Sequence, residues 1–304
     1  MRPILSIALI TAACAGAYGL ARNLPVEKCQ ILHYGDYVNE QGAVEGCGYQ
    51  EVDFFDLQKL KFPVTASAEP LSDLKTGEPA QVRLHMETVS GKPISFDDLA
   101  VSHARHLHCM VVDQSGRDYQ HVHPQGLGPG GDYLMEFKPR LNGTYYVFLD
   151  FVMLETGRRV LLTQNFEVTG EAEPLAHPAV DMGQTSDQGD YDLQLVADND
   201  GKPFRANHTY ELSLKVKPEG DAPLRFQKIM DSFAHVVAFD AEKRGFAHLH
   251  PVSADLAYVE EEETTEHPDL RFSFRPGEPG DYIVWAQTKL DGQEVYSAYR
   301  MQVQ

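Results

Sequence analysis

The sequence predicts an all-β protein built from two antiparallel β-sandwiches in tandem. Three observations carry this. Short alternating runs such as "QVRLHMETV", "HLHCMVVD", "YLMEFKP" and "RRVLLTQNFEV" are punctuated by Gly, Pro, Asn and Asp, the pattern of half-buried strands between tight turns. Helical periodicity is nearly absent. The chain is also written twice. "YQHVHPQ" (Tyr119 to Gln125) returns as "FAHLHPV" (Phe246 to Val252), and His108 precedes His121 by the same interval as His235 precedes His248. Upstream, "VRLHMETVSGKPISF" matches "LSLKVKPEGDAPLRF". Downstream, "FKPRLNGTYYVFLDF" matches "FRPGEPGDYIVWAQT", and each copy turns at a glycine (Gly157, Gly292) into a last strand. Repeats of roughly 100 residues with about seven short strands fit an immunoglobulin-like or cupredoxin-like sandwich.

The elements follow in order. Residues 1–21 read as an export signal: Arg2, an apolar run from Ile4 to Ala13 too short to span a bilayer comfortably, and an A-x-A site at Ala15-Gly16-Ala17. Ala12-Ala13-Cys14 also matches a lipoprotein box, with Thr11 where Leu is usual, which makes Cys14 a lipidation candidate. Residues 22–65 form an N-terminal segment. In it Cys29 and Cys47 are placed for a disulfide in an oxidising compartment, and "EVDFFDLQKLKF" reads as a short helix or an edge strand. Residues 66–170 are the first sandwich, 171–189 a polar, Pro- and Gly-containing linker, and 190–304 the second sandwich.

Composition narrows the function. In 304 residues, 42% are hydrophobic and 23% charged, ordinary for a folded chain. The formal charge of −19 argues against a nucleic-acid partner, which needs basic patches, and suits a protein that attracts cations. Any membrane association is expected only through the N-terminal lipid or anchor. No G-x-S-x-G, Walker loop or H-E-x-x-H is present.

The histidines carry the chemical reading. Side chains on a strand alternate faces, so His-x-His puts two imidazoles on one face and the following Pro ends the ladder. Pairing Asp113 with Asp118 across a turn at Gln114 to Arg117 puts Met110 opposite His121 and His108 opposite His123, with His106 next along. Cys109 then points the other way, which favours a buried core residue over a thiolate ligand. Pairing Asp240 with Gly245 puts His235 opposite His250 and Val237 opposite His248. Three neutral imidazoles on a rigid hairpin make a first shell for copper or zinc. The metal ligands expected are His106, His108, Met110, His121 and His123 in repeat 1, with His103 within reach. In repeat 2 they are His235, His248 and His250, a copy weakened by Phe233 standing where His106 does. Export and the nearby Met tilt the choice to copper, with zinc the alternative.

The His-leucine-His strand, the aromatic-x-His-x-His-Pro and the later Pro-x-x-x-Gly-x-Tyr strand resemble a motif of secreted bacterial heavy-metal-associated, or YtkA-like, β-sandwich proteins. The resemblance covers both repeats and not residues 22–65. It implies a metal-handling protein of the periplasm or cell envelope, with His108, His121, His123, His235, His248 and His250 as the matching positions. The expected partners are the metal ion and another envelope protein. The function expected is metal binding rather than catalysis, since only Asp118 and Glu136 stand near the triplet as candidate general bases. The alternative is a non-catalytic interaction module of tandem sandwiches whose histidines are structural.

Overall fold

The computed structural model describes residues 10–18, 53–175, 177–220, 223–251 and 263–304. Residues 10–18 form one helix on which Cys14 is exposed. The rest of the expected signal, and both Cys29 and Cys47, lie outside the described residues. No helix among the described residues is long and apolar enough to cross a membrane.

The first repeat holds β2 (Val64–Pro70), β3 (Ala80–Thr88), β4 (His108–Asp113), β5 (Tyr119–Val122), β6 (Gln125–Gly126), β7 (Asp132–Phe137), β8 (Gly143–Met153) and β9 (Arg158–Val168), preceded by β1 (Phe55–Asp56). They form two antiparallel sheets, β2-β3-β7-β6 and β5-β4-β8-β9. The inner faces of the two sheets enclose one core, including Val82, Leu84, Met86, Cys109, Val111, Tyr133, Tyr145, Val147 and Leu149. Cys109 therefore is a buried core residue, and burial pushes its thiol pKa well up.

The second repeat holds β10 (Val180–Asp181), β11 (Thr185–Asp187), β12 (Tyr191–Ala197), β13 (Tyr210–Pro218), β14 (Phe226–Gln227), β15 (Ala234–Asp240), β16 (Gly245–Leu249), β17 (Glu263–Thr264), β18 (Arg271–Phe274), β19 (Gly280–Leu290) and β20 (Gln293–Val303). Sheet β11-β12-β13-β18 packs on a larger one built around β16-β15-β19-β20, with Leu193, Leu212, Val236, Ala238, Phe272 and Val284 in the core between them. Both repeats carry a tyrosine that ties down the turn before its strand. The Leu141 N–H donates to Tyr145 Oη, and the Glu278 N–H to Tyr282 Oη, as in the tyrosine corner of immunoglobulin-like sandwiches.

One boundary differs from the sequence reading, and one open alternative is decided. The stretch read as a linker contributes β10, which pairs parallel to β20, and β11, which pairs with β12, so repeat 2 starts inside it. The N-terminal segment supplies an edge strand rather than a helix: β1 pairs with β16 of the second repeat. Position 245 has to be glycine for this, because a Cβ there would lie 1.8 Å from the Phe55 carbonyl oxygen.

The outer face of β4-β5-β8 is not exposed. Met110, Val112, Tyr119 and Phe148 are each 2% exposed or less, yet they belong to neither core. They meet the equivalent face of the second repeat. Phe148 lies 5.2 Å from Phe246 and 5.4 Å from Phe239, and Tyr119 lies 5.6 Å from Trp285 between ring centroids. The Trp285 indole N–H donates to the Gly116 carbonyl in the first hairpin turn at 2.9 Å. The two sandwiches thus share a third apolar layer, and the histidines lie within the same interface.

Candidate metal centre between the repeats

Each histidine hairpin is fixed by an aspartate at its turn. Asp113 accepts the backbone N–H groups of Ser115, Arg117 and Asp118, and Asp240 accepts those of Arg244 and Gly245. With the turns set, the ladders are set. Met110 pairs with His121 and Val112 with Tyr119, while Val237 pairs with His248. His123 follows β5 directly, beside Pro124, and His250 follows β16 beside Pro251. Two groups of three result, His108/His121/His123 and His235/His248/His250. Each group brings three ligand nitrogens within 4.8 Å of one another, and His123 is the only member not fully buried.

Hydrogen-bond partners identify which nitrogens hold hydrogens in the first group. His108 Nε2 lies 2.9 Å from the Ser102 carbonyl oxygen, which only accepts, so Nε2 carries the hydrogen and Nδ1 the lone pair. His121 Nδ1 lies 3.2 Å from Gln287 Oε1. That amide is oriented by its own Nε2, which donates to Tyr296 Oη at 2.6 Å and Glu294 at 3.1 Å. His121 Nδ1 is therefore the donor and Nε2 holds the lone pair. The two lone-pair nitrogens, His108 Nδ1 and His121 Nε2, stand 3.2 Å apart, and His123 Nε2 is 3.3 Å from His108 Nδ1. Two facing lone pairs repel unless a cation lies between them. Metal–imidazole bonds of about 2.0–2.1 Å at a tetrahedral angle place ligand nitrogens about 3.3 Å apart, which is this spacing. The outer hydrogens go to a carbonyl and an amide oxygen, as metal-bound imidazoles place them.

In the second group His248 Nδ1 donates to Asp150 Oδ2 at 3.2 Å, which leaves Nε2 with its lone pair. Among the described residues, neither ring nitrogen of His235, nor Nε2 of His248, has a hydrogen-bond partner, although all three are buried. Buried polar atoms are rarely left this way without a ligand to meet them.

The two groups are related by an approximate two-fold axis. Asp150 stands opposite His108 in the β4–β8 ladder, and Gln287 stands opposite His235 in the β15–β19 ladder. Each reaches across to the middle histidine of the other repeat at the same 3.2 Å. His108–His248 ring centroids are 5.5 Å apart and His121–His235 are 5.7 Å apart, with His121–His248 at 5.1 Å near the axis. His103 stacks on His250 at 3.6 Å. His103 and Ala104 have φ of 49° and 61°, and Met230 and Asp231 repeat this turn at 52° and 59°. A left-handed backbone at these non-glycine residues is strained, and at His103 it holds an imidazole against the centre.

The sequence-predicted ligands divide accordingly. His108, His121, His123, His235, His248 and His250 come together, and His103 joins them. Met110 shares the buried face beside His121. His106 does not join. The strand begins only at His108, after the turn at His103-Ala104, so face alternation does not extend back to it. Its ring stacks on Phe96 at 4.9 Å and its Nδ1 meets the Leu99 carbonyl. The two candidate bases are engaged elsewhere: Asp118 by Arg140 and the Tyr145 hydroxyl, Glu136 by Gln81. Asp150 and Gln287 are not among the sequence-predicted ligands, although each is the first polar residue to interrupt an apolar run at a matching place, "VFLDFV" and "IVWAQT".

Burial holds the pKa of His121, His235 and His248 well below the usual histidine value, helped by repulsion from neighbouring imidazoles, and burial pushes His123 down to about 3. These four imidazoles are therefore neutral at neutral pH, the state that ligates. In the unfolded chain these groups titrate near about 6.5. Below that pH the unfolded state takes up protons the folded state refuses, so stability rises with pH there. We expect the metal-free chain to hold full stability above about pH 6.5 and to lose it steadily as the pH falls toward about 3. Urea midpoints measured from neutral to mildly acidic pH check this, and a flat profile would show that the imidazoles are hydrated.

One family model matches the chain twice, over residues 61–170 and 185–304. The chain belongs to that family. Its description is a domain of unknown function (DUF8832), and the double match establishes the internal repeat. No curated protein matches the chain. Among solved structures it is similar to the Escherichia coli adhesin FdeC, at 17% identity and a TM-score of 0.22, over 79% of this chain and 64% of that one. It is similar to the BSP domain of a biofilm associated protein at 12% identity and a TM-score of 0.21, over 79% of this chain and 30% of that one. It is also similar to Escherichia coli alpha-2-macroglobulin activated by porcine elastase at 11% identity and a TM-score of 0.26, over 81% of this chain and 22% of that one. The chain thus spans less than two thirds of each of these structures.

Proposed function

We propose that this is an exported metal-binding protein that holds copper on its clustered imidazoles, with His108, His121 and His123 as one ligand set and His235, His248 and His250 as its copy. The observation that carries this is the pair of lone-pair nitrogens 3.2 Å apart on His108 and His121, an arrangement that a cation relieves. The unmet nitrogens of His235 and His248 support the same reading for the copy. All-imidazole sets accept both copper and zinc, and the Irving–Williams order favours copper where both are offered. Export to the periplasm or cell envelope rests on the residue 1–21 signal, and the partner that fits is an envelope protein that delivers or takes the ion.

The test is elemental analysis of the chain purified without an affinity tag, beside the His108/His121/His123→Ala variant. Bound copper in the parent, reduced in the variant, supports the reading; zinc in its place keeps the site and changes the ion. No metal after incubation with Cu(II), Cu(I) and Zn(II) overturns it, and the tandem sandwiches are then an interaction module with structural histidines.

A further inference from the structure

We propose that the two triads are the halves of one dinuclear centre, in which two ions sit side by side across the approximate two-fold axis and share a small bridging oxygen ligand, hydroxide in the resting protein. This rests on the metal-binding reading above and adds the number of ions and their coupling.

The spacing is the first ground. Rings within the first triad lie 4.9–5.4 Å apart and rings within the second 4.6–5.7 Å apart. Three of the nine pairs that cross between the triads lie 5.1–5.7 Å apart. Where His108 and His121 meet His235 and His248, the gap between the triads is no wider than the gaps inside them, so ions at the two triads would be near neighbours. Each triad supplies three nitrogens and leaves a fourth position open, as a three-histidine site does. Two divalent ions this close repel, and an anionic oxygen that bridges their open positions offsets the repulsion. Sites of this kind hold their ions about 3.5–4 Å apart.

The exchange of partners across the interface is the second ground. His121 of repeat 1 is oriented by Gln287 of repeat 2, and His248 of repeat 2 by Asp150 of repeat 1. His103 of repeat 1 covers His250 of repeat 2. A pair of independent sites would draw these groups from their own repeats. Here each triad is shaped by the other sandwich, and neither is complete alone.

The experiment is a Cu(II) titration of the full chain, read by elemental analysis and electron paramagnetic resonance on the same samples. The expected result is two copper ions per chain with a coupled spectrum: a half-field transition, or a spin count well below that of two independent ions. The His235/His248/His250→Ala variant should then bind one copper with an ordinary spectrum and full spin count. One copper per chain in the parent, or two with the full uncoupled spin count, overturns the dinuclear centre while leaving metal binding standing. No bound copper overturns both.

Discussion

Replacing Asp150 with alanine is expected to destabilise the metal-free chain by about 3–5 kcal/mol, the usual consequence of removing one partner of a buried ion pair. Asp150 and Arg159 have side chains 8% and 2% exposed, and the guanidinium grips the carboxylate with two N–H groups, Nε to Oδ1 at 2.8 Å and a second to Oδ2. The same Oδ2 accepts from His248. The substitution strips a bidentate carboxylate from a buried cation and releases the imidazole it orients. Urea denaturation of the metal-free protein reads the first effect. The second should appear as a roughly 10–100-fold loss of metal affinity, the range found when such orienting groups are removed. The Asp150→Leu/Arg159→Met variant separates the two. Replacing a buried pair by apolar groups of similar size is often neutral for stability, so this variant should recover the urea midpoint and still lack the orienting oxygen. A penalty below about 1 kcal/mol for Asp150→Ala would mean that water reaches the pair, as it does for exposed ion pairs.

The hairpins were legible because a tight turn and a period of two leave little freedom. Asp113 and Asp118 fix the register, and the register places Met110 opposite His121 and sends Cys109 into the core. His106 leaves the expected face because the alternation stops at a turn whose central residues, His103 and Ala104, have positive φ. The meeting of the two triads left a trace that periodicity alone does not interpret. β4 and β15 are buried along their whole length, and their sequences, "HCMVVD" and "AHVVAFD", are nearly continuous apolar runs. A strand covered on one face alternates, whereas a strand covered on both does not. Those runs therefore announced a second buried face, but one sequence does not say what covers it. Asp150 and Gln287 act on histidines of the other repeat, so their roles become visible only once the sandwiches are docked.

Metal is expected to stabilise the chain by about 4 kcal/mol for each triad at a thousandfold excess of free ion over Kd, since a ligand that binds only the folded state shifts unfolding by mass action. Lone pairs of His108 and His121 face each other, and among the described residues the buried nitrogens of His235 meet no hydrogen-bond partner. An ion bound as proposed would turn both features into bonds. Thermal unfolding should therefore move upward with free metal concentration, return on adding EDTA, and lose about half its response in the His108/His121/His123→Ala variant. The comparison is made on the metal-dependent shift of each protein, because the alanines also remove buried side chains and leave Gln287 Oε1 without the His121 donor. The direction of any residual shift is informative as well. Asp150 and Gln287 tie each triad to the opposite sandwich, so an ion bound in either triad would also hold the apolar layer of Phe148, Tyr119, Phe246 and Trp285 closed. The metal shift should then appear in one cooperative transition of both repeats. Two separate transitions, with only one responding to metal, would show that the repeats unfold independently and that the interface adds nothing to the binding energy.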